Sequence, residues 1–137
     1  MLDRIKSFLS AGFSAGEDNR NQAYAESAIE LLILAMYADG ELTVAERQFL
    51  GEYGDLLPWH GTSSKDLFIA AAYGRVREVH ASKQRKAFIS TMAARLPKAD
   101  DRLKLFSACN RLFKADGVMP IAEKEFLADV KAGFALT

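Results

Sequence analysis

The chain has 137 residues and a mass of 15.1 kDa, which is the size of one globular domain. Half of the residues are apolar, 26% are charged and three are proline, so collagen-like and low-complexity chains are excluded. The single cysteine excludes an internal disulfide and a cysteine-based zinc site, and it favours a reducing compartment such as the cytoplasm.

Charge is balanced over the whole chain but unevenly distributed along it. Residues 1–57 carry four basic and ten acidic side chains, whereas residues 58–137 carry fourteen and eight. No apolar stretch approaches the roughly 20 residues that cross a bilayer, and the first residues lack the apolar block of a signal peptide. We therefore expect a soluble, unprocessed cytoplasmic protein with two oppositely charged halves.

Apolar residues recur at steps of three and four through most of the chain, which predicts an all-α fold. The pattern indicates a compact bundle of about seven helices, over residues 2–10, 22–38, 44–57, 65–79, 83–96, 101–115 and 120–134. The first helix is amphipathic and is followed by a linker that ends at Asn21, so residues 1–21 precede a helical domain over 22–137. The helix over 22–38 is apolar on most of its surface and is expected to be central.

Capping residues set the expected starts of the later helices. Ser63 or Ser64 is the predicted N-cap of the helix over 65–79, and Ser82 is the predicted start of the next. Asp100 is the predicted cap of the sixth helix, and Pro120 occupies the first position of the seventh, where a missing amide hydrogen is harmless.

The sequence contains an internal repeat with a shift of 77 residues. It aligns Ala38-Asp39-Gly40 with Ala115-Asp116-Gly117, and Ala45-Glu46 with Ala122-Glu123. The apolar positions on either side are similar in character, which predicts two pseudo-symmetric helix-turn-helix units. Packing does not require the acidic residues to be repeated, so they are the informative part of the motif.

Two interpretations of the repeated acidic residues are open. In the first, they belong to capped turns: glycine suits a helix end, and Thr43 with Glu46 forms a capping box. In the second, they bind a divalent cation. Calcium takes about six to eight oxygen ligands, which carboxylates, turn carbonyls and water would supply, with magnesium and manganese as alternatives. The spacing is not that of an EF-hand. The four candidate metal ligands are Asp39, Glu46, Asp116 and Glu123.

With these residues, the sequence resembles the TerB-like tellurite-resistance family. The resemblance rests on MYADGELTVAE over residues 36–46 and on its echo, FKADG over 113–117 followed by Glu123, and it covers about 22–134. It implies a compact helical bundle whose two acidic motifs chelate a divalent cation. It also implies a role in tellurite resistance and stress responses, within cytoplasmic complexes that dock onto membrane-associated tellurite-resistance components.

Three classes of function follow from these features. The leading hypothesis is a non-enzymatic stress-response module that binds a divalent cation through the duplicated Asp-Gly...Glu turns and docks onto protein partners. The alternative is a purely structural interaction domain without metal, which uses its acidic and basic faces. A catalytic role is not expected, because the sequence has no nucleophile elbow, no phosphate-binding glycine loop and no histidine–carboxylate pairing that spacing identifies.

The basic charge is concentrated in residues 65–114, which hold twelve basic and four acidic side chains. Lys83, Arg85 and Lys86 stand together near the start of the fifth predicted helix. The segment has no recognisable nucleic-acid reader motif, and its phenylalanines fit the core. We therefore expect a solvated face or a dock for an acidic protein partner rather than a nucleic-acid site. Cys109 is expected to be a small core residue.

Overall fold

The structure, a computed structural model, describes residues 18–38, 44, 59–61, 63–114 and 121–136. Over these residues the fold is all-α and contains no strand, which confirms the predicted class. Its five helices are α1 (Asp18–Ala38), α2 (Lys65–Ala81), α3 (Arg85–Ala94), α4 (Ala99–Lys114) and α5 (Ile121–Gly133). The predicted helices over 2–10 and 44–57 lie outside the described residues, except for Val44.

Helix α1 is the centre of the core, as predicted. It packs against α2, α4 and α5. An unbroken run of apolar side chains from Leu31 to Met36 is almost fully buried on it. A helix that is apolar on all sides must be covered on all sides, so its composition alone specifies this position. Among the described residues, no helix combines the length and the apolar character needed to cross a membrane.

Helix α1 begins earlier than predicted. It starts at Asp18, so residues 18–21, which the composition assigned to the end of the linker, are helical. Asn21 is itself buried, with 7% of its surface exposed.

The connection between α2 and α3 differs from the prediction at one helix boundary. Ser64, one of the two predicted caps, caps α2, and its hydroxyl accepts a hydrogen bond from the Leu67 amide at 3.2 Å. Ser82 does not begin the next helix but ends α2, with its amide bonded to the Glu78 carbonyl. Lys83 then adopts a left-handed φ of 58°, and the Gln84 amide bonds to the Val79 carbonyl at 3.0 Å. This helix-ending motif occupies the residues expected to open α3.

Helix α4 also begins earlier than predicted. Asp100 is not its cap but lies inside its first turn, and the Lys98 carbonyl accepts hydrogen bonds from the Asp101 and Arg102 amides. Arg102 joins three parts of the chain: its Nη1 donates to the Leu96 carbonyl at 2.6 Å, and its Nε donates to the Phe134 carbonyl at 3.1 Å. The end of α3, the start of α4 and the end of α5 are thereby held together.

Helices α3 and α5 approach each other closely at Gly133. A Cβ atom built on Gly133 would lie 2.5 Å from Cγ2 of Ile89, closer than any relaxed contact. Ile89 is fully buried and branched at Cβ, so its side chain has little freedom to move aside. Glycine at 133 therefore sets the separation of the two helices.

The residues before α2 are attached to α1. Trp59 donates a hydrogen bond from its indole Nε1 to the Ser63 carbonyl at 2.8 Å, and its ring lies 5.2 Å from that of Phe68. The next amide, of His60, donates to the side-chain oxygen of Gln22 on α1 at 2.7 Å. These contacts fix where α2 starts relative to the central helix.

Candidate functional site

Of the four predicted metal ligands, the structure describes one. Glu123 lies in the first turn of α5, and only 5% of its surface is exposed. Burial of a carboxylate in a protein interior is unfavourable unless ion pairs, hydrogen bonds or a metal compensate it. Its neighbours on the same helix, Phe126 and Leu127, belong to the core. Asp39, Glu46 and Asp116 lie outside the described residues.

The helices that precede the two repeated acidic motifs are anchored at their ends. Helix α1 ends at Ala38, directly before Asp39, and Tyr37 stacks on His80 of α2 with ring centroids 5.4 Å apart. Helix α4 ends at Lys114, and Phe113 packs edge-on against Phe126 of α5 at 5.6 Å. Aromatic contacts therefore hold the last residues before each acidic motif in fixed positions.

The described residues alone do not form a metal centre. No group of three or more histidine, cysteine, aspartate or glutamate side chains within 18–38, 59–61, 63–114 and 121–136 is placed to hold an ion. The buried carboxylate of Glu123 is chemically suited to a hard divalent cation, which prefers oxygen ligands. A complete site would need further ligands from outside the described residues.

A second buried carboxylate, that of Glu30, lies in the middle of α1. Its Oε1 accepts a hydrogen bond from Nη2 of Arg95 at 2.8 Å, and its Oε2 lies 3.5 Å from Nη2 of Arg75. The Glu30 side chain is 4% exposed, whereas the two arginines are 38% and 45% exposed. Arg75 also lies over the ring of Phe68 at 5.0 Å. Both carboxylate oxygens are used, so this cluster joins α1 to α2 and to the end of α3.

One residue in the sequence indicated this cluster, although the apolar periodicity did not predict its partners. Glu30 stands between Ile29 and Leu31 in a helix with little polar surface, and a charge in that setting needs a compensating partner. The arginines lie 45 and 65 residues further along the chain. Their identity depends on how α2 and α3 pack on α1, which spacing along the chain does not give.

A concave surface rich in basic residues lies where α2 ends and α3 begins. We call it the basic cleft; it has a volume of about 680 Å³, and it is lined by Val79, His80, Lys83, Gln84, Arg85, Lys86, Ala87 and Asp129. Lys83, Arg85 and Lys86 form the basic patch expected from the sequence, but their spacing does not predict that they surround a cavity. Asp129 reaches the cleft from α5, so three helices form its walls.

The charges of the basic cleft are partly compensated. Nη2 and Nε of Arg85 lie 2.8 and 2.9 Å from Oδ2 of Asp129. The Arg85 guanidinium also lies 5.3 Å from the ring centroid of Phe126. Arg85 therefore acts as a bridge between α3 and α5 and is already engaged on both sides.

The only cysteine in the chain is a core residue, as predicted. Cys109 on α4 is fully buried, and desolvation raises the pKa of its thiol far above the ordinary value. Because the thiolate is the reactive form, this thiol is inert in the folded protein.

We expect Cys109 to resist alkylation until the protein unfolds. In native buffer near pH 7, iodoacetamide should leave the intact mass unchanged over hours, whereas in denaturant the chain should gain one label within minutes. Mass spectrometry measures both states. Rapid labelling of the native protein would contradict the buried position of this thiol.

Comparison with known proteins finds no matching family model, no similar curated protein and no similar solved structure.

Proposed function

We propose that the protein is a non-enzymatic stress-response module, similar to TerB-like tellurite-resistance proteins, which binds a divalent cation through its duplicated Asp-Gly...Glu turns and docks onto protein partners. The proposed ligands are Asp39 and Glu46 from the first turn and Asp116 and Glu123 from the second. Calcium is the first choice of cation, with magnesium and manganese as alternatives. The proposed location is the cytoplasm, at the periphery of the inner membrane, where tellurite-resistance components would be the partners.

The observation that carries the metal proposal is the burial of Glu123. An exposed glutamate in the first turn of a helix is common, because its negative charge interacts favourably with the helix dipole while it remains solvated. Glu123 instead faces the core side of α5, beside Phe126, and it is one of the two acidic residues that the internal repeat preserves. In this proposal the two turns bring their carboxylates together, and a bound cation neutralises the like charges.

The test compares cation binding by the wild type with binding by three variants. Isothermal titration and thermal-shift assays with calcium, magnesium and manganese should show binding to the wild type and a higher Tm for at least one cation. At a concentration of 100 times Kd, the gain in stability is about 2.7 kcal/mol. Glu123→Gln and the double variant Asp39→Asn/Asp116→Asn should lose most of this gain.

The matched control is Glu125→Gln. Glu125 lies two residues beyond Glu123 on the same helix, but it is exposed, so its neutralisation removes the same charge without touching the buried position. We expect this variant to respond to cations as the wild type does. Equal responses from the wild type, Glu123→Gln and the double variant would remove the metal from the proposal.

The alternative function is an interaction domain without metal. The observation that favours it is the exposed basic surface around Lys83 and Lys86, which lies apart from the repeated turns in sequence. A protein partner bound in this way would dissociate as salt is raised and would be indifferent to a chelator. A partner held through the cation would instead be released by EDTA at constant ionic strength.

A further inference from the structure

Among the residues that the structure describes, two of the cations in the basic cleft take no part in holding the helices together. Arg85 is bound to Asp129, and His80 stacks on Tyr37. Lys83 and Lys86, by contrast, line the cleft without forming an ion pair with any residue in the described part of the chain. Asp129 is the only described carboxylate in the lining, and Arg85 compensates it. The cleft therefore has a net positive charge.

The backbone at Lys83 is unusual for the residue type. Its φ of 58° is left-handed, which glycine adopts at lower cost than lysine. Ala135 occupies the equivalent position after α5, with a φ of 55° and the same pattern of helix-ending hydrogen bonds. The motif thus tolerates a residue other than glycine, and at 83 that residue places an amino group at the edge of a cavity.

The size and the charge of the cleft together indicate the class of ligand. A volume of about 680 Å³ lies within the range of small-molecule sites. The uncompensated cations are confined to one short segment of the cleft and do not form the extended stripe that a long acidic peptide or a nucleic-acid backbone would follow. Ammonium groups are strong point-charge donors to phosphate oxygens.

We propose that the basic cleft binds the phosphate group of a small phosphorylated molecule through Lys83 and Lys86. Arg85, held by Asp129, forms the wall between α3 and α5 against which the ligand rests. The proposal does not depend on the cation site, because none of the four proposed metal ligands lines the cleft among the residues described.

The test uses inorganic pyrophosphate as the probe, in the presence of EDTA so that no divalent cation contributes. We expect sub-millimolar binding to the full chain by isothermal titration. In NMR spectra, we expect shifts at the amides of residues 79–87. The double variant Lys83→Gly/Lys86→Gln should weaken binding by about tenfold or more, because each charged hydrogen bond contributes strongly to affinity. Glycine suits the left-handed position at 83, so the variant is expected to fold.

The matched control is Lys98→Gln/Lys104→Gln. These lysines are exposed and do not line the cleft, and their replacement removes the same total charge. Retained pyrophosphate affinity in this control, together with the loss in the cleft variant, would support the proposal. Equal weakening in both double variants, no binding to the wild type, or tighter binding of hexaglutamate than of pyrophosphate would overturn it. The last result would assign the cleft to an acidic protein segment.

Discussion

Replacement of both Arg75 and Arg95 by methionine is expected to lower the free energy of unfolding by about 3–5 kcal/mol, the range observed when a buried charge loses its partners. The reason is Glu30, whose carboxylate would remain inside the bundle without either guanidinium. Methionine keeps an unbranched apolar chain at each position, so the main change is the loss of positive charge. Urea denaturation followed by circular dichroism measures the effect.

Two further variants identify the cause. Arg77→Met removes an exposed charge from the same helix as Arg75 and should change the stability by less than about 0.5 kcal/mol. Addition of Glu30→Met to the double variant removes the stranded carboxylate and should recover a large part of the lost stability. A triple variant no more stable than the double would show that burial of the Glu30 charge is not the source of the loss.

The second large effect is expected at Gly133. Gly133→Ala should destabilise the protein by about 1–3 kcal/mol, because the new methyl group would overlap Cγ2 of Ile89 and force α3 and α5 apart. The same denaturation experiment measures the change. Ile89→Val leaves the Cγ2 methyl in place and should not relieve the strain, whereas Ile89→Ala in the Gly133→Ala background should relieve part of it.

Gly74→Ala is the control for helix propensity. Gly74 lies in the exposed interior of α2, and a Cβ atom there would meet nothing within 4 Å. Alanine at this position should therefore stabilise the protein by about 0.5–1 kcal/mol. Opposite signs for the two glycine-to-alanine changes are the expected result. A stabilising Gly133→Ala would contradict the close approach of α3 and α5.

The features that follow from local pattern were predictable from the sequence. Three such features are the all-α class, the central position of α1 and the burial of Cys109. Each depends on apolar periodicity or composition, which can be seen in residues close together in the sequence. The Ser64 cap was predictable for the same reason, since capping needs only a side chain and an amide three residues apart. The errors lie at the start of α1, at Ser82 and at Asp100. All three are helix ends, which the pattern of residues along the chain defines least well.

The proposed metal site was predictable only as a set of candidate residues. The internal repeat identified Glu123 as a candidate ligand. Its burial is consistent with a ligand role, which a solvent-exposed carboxylate would suit less well. Repetition along the chain does not reveal whether two turns meet in space, so the complete set of four ligands stays a prediction. The titration of Glu123→Gln against Glu125→Gln tests it directly.

The Glu30 cluster and the basic cleft were not predictable as sites, although the sequence shows every residue that forms them. Both depend on contacts between residues that are distant in sequence: Glu30 with Arg95, and Arg85 with Asp129. Charge patterning located an excess of basic residues, but it could not separate the arginines that stabilise the bundle from the lysines that form no ion pair within the described part of the chain. That distinction gives the basic cleft its proposed function.

The chain's single tryptophan supplies an optical probe whose position is known. Since the indole of Trp59 contacts Phe68 and the neighbouring backbone is bonded to α1, its emission reports whether the segment ahead of α2 stays docked. Fluorescence can therefore be recorded alongside circular dichroism during denaturation. Coincident transitions would mean that this segment and the helices unfold as one cooperative unit, whereas an earlier fluorescence change would mean that the segment detaches first.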